Sequence, residues 1–296
     1  TPSGVLNSHA FSVVDKASGA TQPYVGRVLK RVRTPTDALV TLAPGEEVVA
    51  AVDLSTGYQF AAGASYEVHV VASFAHTLTD GLLAVATEDA LVVTATEDSA
   101  MPHVRFMEEG ASSSTPARSL LTTTYINCAS SEQSAVASSI SIAADIATGE
   151  GAEYFDDGCE TTQYTTWFGA VDPTRYNTAT IITSNLRTFL SSSTSYSMGA
   201  NCNPTNCQAG VFAFVYPTDT NHIVYLCSGY WNAPSSRQID SRPGTMLHEL
   251  SHFNDIGGTD DHAYGTTNVK QLAIDTPSLA VRNADSYEYF YESYPT

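Results

Sequence analysis

The sequence predicts two domains, an N-terminal all-β antiparallel sandwich followed by a C-terminal α+β domain. Three observations carry this. Short runs rich in Val, Leu, Ala and Thr, separated by turn signals, fill the chain before residue 100. A small, polar, Pro-containing stretch follows, Glu109-Gly110-Ala111-Ser112-Ser113-Ser114-Thr115-Pro116-Ala117-Arg118. Beyond it come longer helical segments around one short apolar strand pair. A chain of 296 residues with 43% hydrophobic content can build two such cores.

The first strands are expected over Tyr24 to Arg33, Ala38 to Leu54, Tyr66 to Phe74 and Gly81 to Thr96. Ala43-Pro44-Gly45 and Ala61-Ala62-Gly63 mark turns between them, and Tyr66-Glu67-Val68-His69-Val70 alternates as a half-buried strand does. The linker at about 109–121 places the boundary near residue 121, giving domains 1–121 and 122–296, and exposed linkers are where proteases cut. After the boundary, Ser131-Glu132-Gln133 opens a helix to about Thr148, and Pro173 starts another to about Leu190. Gly210 to Tyr216 and His222 to Cys227 form the strand pair. Pro243 precedes a helix carrying His248, and Pro277 sits just inside a last helix that reaches about Glu292.

The net charge of −18 repels phosphates and anionic lipid, so neither nucleic acid nor a membrane surface is expected as a partner. No apolar run approaches the roughly 18 residues of a membrane span. The start at Thr1 carries no leader pattern, so any signal peptide is expected to have been removed already. Five cysteines, Cys128, Cys159, Cys202, Cys207 and Cys227, are dispersed with no C-x-x-C pair. That favours disulfides in an oxidising compartment over a zinc–thiolate site, and the odd number leaves one cysteine over.

The chemistry concentrates at His248-Glu249-Leu250-Ser251-His252. Histidines at i and i+4 project from one helix face and can share one Zn²⁺, while Glu249 on the adjacent face can reach a water on the metal. A catalytic zinc keeps one position open, so a third ligand must come from elsewhere. Gly257-Gly258 turns the chain back, and Asp261, nine residues after His252, is placed to supply a carboxylate oxygen. His262 beside it is a competing ligand. His9, His69, His76, His103 and His222 are isolated and read as surface or packed residues.

The run His248-Glu249-x-x-His252 with Gly258-Thr259-x-Asp261-x-x-Tyr264-Gly265 resembles the signature of the deuterolysin, or aspzincin, family of metallopeptidases. Thr165-Thr166-Trp167-Phe168-Gly169, Val215-Tyr216-Pro217, Val224-Tyr225-Leu226-Cys227 and Asn283-Ala284-Asp285-x-x-Glu288-Tyr289-Phe290 resemble its peptidyl-Lys metalloendopeptidase branch. The likeness covers residues 122–296, and residues 1–121 are more weakly similar to the family's pro-region. It implies a zincin-like catalytic domain in a secreted zymogen, acting as a monomer on proteins or peptides with accessible lysine. The N-terminal domain is implied as intramolecular inhibitor. Glu249 is implied as general base and Tyr264 as donor to the oxyanion. The implied disulfides are Cys128–Cys202 and Cys207–Cys227, with no counterpart for Cys159.

Asp285 and Glu288, three apart on the last helix, share a face. On a solvated helix such a pair has no special role. In the lysine-specific branch the matching pair lines the pocket for the residue after the scissile bond, where two converging acids suit a compact ammonium. Two alternatives stand beside cleavage before lysine. One is a broader, deuterolysin-like endopeptidase. The other is a non-catalytic secreted binding module, weakened because every catalytic position is intact.

Overall fold

A computed structural model describes residues 6–31, 52–71, 74–78, 81–85, 91–94, 121–149, 161–191 and 196–293. Most of the strand expected over residues 38–54, most of the linker, His103 and Cys159 lie outside them. Among the described residues the chain packs as two units. One holds the residues up to Arg27 and the strands between residues 52 and 94, and the other holds Val28–Arg31 with residues 121–293.

The first unit is β-rich. Strand β1 (Phe11–Asp15) pairs antiparallel with β3 (Ser65–Val70), which pairs antiparallel with β6 (Leu91–Thr94). Strands β4 (Phe74–Leu78) and β5 (Gly81–Val85) form a hairpin. The alternation read in β3 is seen as burial: Tyr66 and Val68 face inward, while Glu67 and His69 stay partly exposed with their side chains 3.1 Å apart. Strands β1 and β4 depart from the expectation: each is five residues long and is followed by a turn signal, Ser18-Gly19 and Asp80-Gly81.

The second unit is built on a five-stranded mixed sheet in the order β2-β9-β10-β8-β7. Its strands are β2 (Val28–Arg31), β7 (Thr122–Ile126), β8 (Ser197–Asn201), β9 (Val211–Val215) and β10 (Ile223–Leu226). Strands β7, β8 and β10 run parallel, β9 is antiparallel to β10, and β2 is antiparallel to β9. All five residues of β9 are buried, as a strand covered on both faces requires. Strand β2 corrects an expectation. Read as an early strand of the N-terminal sandwich, this segment instead pairs with β9, because Val28 and Leu29 bury against the second unit's apolar strands and Lys30 finds acids there.

The helices are α1 (Ser130–Thr148), α2 (Thr162–Phe168), α3 (Pro173–Ser191), α4 (Ser228–Asn232), α5 (Arg242–His252), α6 (Thr266–Asp275), α7 (Pro277–Ala280) and α8 (Ala284–Glu292). The single last helix expected from Pro277 is two. Asn283 adopts extended backbone and bridges Asp260, so the helical ladder opens between Ala280 and Ala284. Cys128–Cys202 ties the start of α1 to the end of β8, and Cys207–Cys227 ties the β8–β9 connection to the end of β10. With partners 74 and 20 residues apart, the two contribute about 4.5 and 3 kcal/mol in the chain-entropy account.

Candidate active site

Helix α5 begins where the Ser241 hydroxyl accepts from the Gly244 amide at 3.0 Å, with Pro243 in its first turn. Every residue from Pro243 to His252 is buried, so the helix lies within the unit rather than on it. Its packing against α8 demands glycine at 244. A Cβ there would lie 1.8 Å from Glu292 Oε1 and 3.0 Å from Glu288 Oε1. The i, i+4 spacing brings the Nε2 atoms of His248 and His252 to 3.1 Å from each other.

The helix ends at His252, before the glycine pair. The Phe253 carbonyl accepts from the amides of Ile256, Gly257 and Gly258, and Gly258 has φ +56°. The chain then returns along the helix end. Thr259 N–H donates to the Ser251 carbonyl, and the Thr259 carbonyl accepts from His252 Nδ1 at 2.8 Å. A carbonyl can only accept, so the His252 proton sits on Nδ1 and Nε2 carries a lone pair. Asp260 exchanges backbone hydrogen bonds with Arg282 and Ala284, and Asn283 Oδ1 accepts from the amides of His262 and Ala263. Asp261 is thus held between anchored neighbours. Its Oδ1 lies 3.2 Å from His248 Nε2 and 3.5 Å from His252 Nε2. The cluster takes in Asp261 and not His262.

These three atoms fit a zinc ion. Bonds of about 2.0–2.1 Å in tetrahedral array separate ligand atoms by roughly 3.3–3.4 Å. The buried oxygens agree: among the described residues, both of Asp261 and both of Glu249 have no hydrogen-bond partner. Buried carboxylates without partners are costly, and a dication beside them offsets that cost. Burial pushes the Glu249 carboxyl up to about 7, against the pull of His248 and His252. Among the described residues a second group that could hold a metal joins the same histidine to Asp285 and Glu288, whose oxygens lie 2.8 and 3.3 Å from His248 Nδ1. Asp285 also accepts from the Gly265 amide at 2.9 Å.

That second group faces a cation from elsewhere in the chain. The Lys30 ammonium, wholly buried, lies 2.6 Å from Glu288 Oε2, 3.2 Å from Asp240 Oδ1 and 3.5 Å from Asp285 Oδ1. The rings of Phe212 and Tyr289 stand 4.9 and 5.7 Å from it. Burial alone would lower the Lys30 pKa, but Asp285, Glu288 and Asp240 together hold it well above the usual value. Asp240 and Glu292 escaped the sequence reading. Glu292 Oε1 accepts from the Ser241 amide and hydroxyl, and its Oε2 from the Asp240 amide, so it fixes the turn that presents Asp240. The i, i+3, i+7 run Asp285, Glu288, Glu292 on one helix face was the available signal for it. Tyr264 reaches the same strand as Lys30, its hydroxyl donating to the Leu29 carbonyl at 2.7 Å.

A buried His–His–Asp cluster with an unpartnered glutamate on the ligand helix, under a mixed sheet, defines a zincin-type metallohydrolase. The family described as lysine-specific metallo-endopeptidase, the aspzincins, matches residues 153–292. A peptidyl-Lys metalloendopeptidase of Grifola frondosa is 33% identical over 308 residues, 99% of this chain and 83% of that protein. An extracellular protease of Aeromonas hydrophila is 37% identical over 169 residues, 57% of this chain and 46% of that protein. A solved zinc peptidase from Grifola frondosa is similar with a TM-score of 0.50 and 41% identity, covering 56% of this chain and 97% of that one. The chain belongs to the aspzincin family and is a zinc metalloendopeptidase of the lysine-specific type.

Proposed function

We propose that this enzyme hydrolyses the peptide bond on the N-terminal side of lysine, using one zinc ion held by His248, His252 and Asp261. The observation that carries the reading is the acidic pocket beside the histidine cluster, where Glu288, Asp285 and Asp240 close on an ammonium and Asp285 and Glu288 also lie against His248 Nδ1. Zinc bound there supplies Lewis acidity toward the attacking water and the scissile carbonyl. Glu249, buried and without a hydrogen-bond partner, takes the water proton on a carboxylate oxygen and delivers it to the leaving amine. Tyr264 donates from its hydroxyl to the carbonyl oxygen as negative charge develops. The pocket holds the lysine after the scissile bond, and its aromatic walls keep water from the ammonium.

The enzyme is read as a secreted monomer with a catalytic domain at about 122–296. The two disulfides and the extracellular relative support secretion. Residues 1–121 are read as a β-sandwich pro-domain that keeps the cleft closed until the linker is cut. Its support is that the long Grifola frondosa protein aligns with nearly all of this chain, whereas the solved zinc peptidase is almost wholly covered by 56% of it. The test is a digest of a protein of known sequence. New N-termini should be predominantly lysine, and N-termini without that bias would leave a broader endopeptidase.

A further inference from the structure

Lys30 has an odd position for a structural ion pair. One ammonium meets Glu288, Asp285 and Asp240, so the acids outnumber the charge they surround. A buried pair adds little stability over apolar packing, which gives no reason to bury a lone lysine among three carboxylates. A pocket made for a visiting ammonium does give one. The backbone around Lys30 has the matching form. Strand β2 is a four-residue addition to the edge of β9, antiparallel to it, and it packs against helix α5. Extended peptides bind enzymes and receptors by adding such a strand, with backbone pairing giving affinity and one side chain giving selection. The register shifts between Lys30 and Arg31, a break of the kind that re-aims a side chain. The carbonyl just before Lys30, that of Leu29, takes the hydrogen bond of Tyr264. Side chain, strand polarity and preceding carbonyl each coincide with what a lysine substrate would present.

The geometry points to Val28–Arg31 as a substrate mimic carried by the chain itself, with Lys30 filling the pocket for the residue after the scissile bond and so excluding substrate lysine. The inference rests on the lysine-pocket reading above and names the residue that blocks it. The inhibitor is a lysine, not a thiolate, carboxylate or histidine placed on the metal. A tethered competitor acts at an effective concentration on the order of millimolar, so it depresses apparent substrate affinity by about tenfold or more for substrates that bind in the micromolar range.

Amine footprinting of the full chain tests this without disturbing the strand. The chain holds three lysines, of which Lys16 and Lys270 are exposed and Lys30 is buried. In the Glu249→Gln chain, which holds substrate without turning it over, reductive methylation should modify Lys16 and Lys270 well before Lys30. A saturating lysine-containing peptide should then speed Lys30 modification by about tenfold, and the same peptide with norleucine for lysine should not. If the lysine peptide leaves Lys30 protected while the native chain still cuts before lysine, the mimic is overturned and the specificity reading stands. If both peptides expose Lys30 equally, strand displacement holds but the lysine-pocket reading falls, and the inference with it. A second variant reads the same point by kinetics. Lys30→Ala in the otherwise native chain should lower KM for a lysyl reporter by about tenfold or more and leave the cleavage sites unchanged, and an unchanged KM in the folded variant would overturn the proposal.

Discussion

The metal cluster and the ammonium pocket touch at His248, yet they are assembled from very different lengths of chain. His248, Glu249, His252 and Asp261 lie on one helix and the loop that folds back along its end. The pocket draws Phe212 from β9, Asp240 from a turn, and Asp285, Glu288 and Tyr289 from α8. Local geometry sets the first: a helical turn fixes two imidazoles, and a glycine-mediated reversal fixes the aspartate. Tertiary packing sets the second, through the close approach of α5 and α8 that Gly244 permits. Chemistry here is locally encoded, and selection depends on the global fold.

Variants can probe that division, and the steepest effect belongs to the local part. Glu249→Gln should keep fold and zinc but lower kcat by about 10²–10⁴-fold, because the amide cannot accept the water proton. Metal analysis beside a casein assay checks it, and near-native turnover would end the mechanism. Tyr264→Phe should cost about 10²–10³-fold in kcat as loss of a single oxyanion donor. A change confined to KM would instead make Tyr264 a binding residue.

Asp285→Asn sits on the border between the two parts. Its carboxylate lies 2.8 Å from His248 Nδ1, so zinc affinity should fall by about 10–100-fold, and lysine selection should weaken with it. Competition with a chelator measures the first, and a lysine-to-norleucine substrate ratio the second. Asp240→Asn lies 3.2 Å from the ammonium and is absent from the group around His248. It should lower the lysine preference by roughly tenfold, about 1.4 kcal/mol, with zinc affinity unchanged. Loss of zinc in that variant would erase the distinction between the two regions.

Legibility in the sequence follows the same division. The i, i+4 histidines, the following glutamate and the returning aspartate could be read directly, because each depends on neighbours within a few turns of chain. The helices at Ser130–Thr148 and Pro173–Ser191 and the pair β9–β10 were legible from periodicity and proline placement. Strands β7 and β8 were not: both are short, β8 contains a glycine, and they pair in parallel across some seventy residues of chain. The break between α7 and α8 was hidden because Asn283 leaves the helix to hold a loop that precedes it by some twenty residues. Asp240 and Lys30 were invisible for the same reason: no local pattern distinguishes an acid in a turn, or a lysine in a strand, from its solvated equivalents.

Asp285 Oδ1 faces two partners at once, His248 Nδ1 at 2.8 Å and the Lys30 ammonium at 3.5 Å. If His248 holds the zinc and the pocket takes a substrate lysine, as proposed, one oxygen divided between the two makes their affinities a single linked quantity. Whatever factor a bound lysine imposes on the hold of zinc, zinc must impose on the hold of lysine. Both draw on the same negative charge, so each loosens the other. On the proposed reading, the zinc would be held most tightly with no ammonium in the pocket, and each arriving lysine would loosen that grip a little.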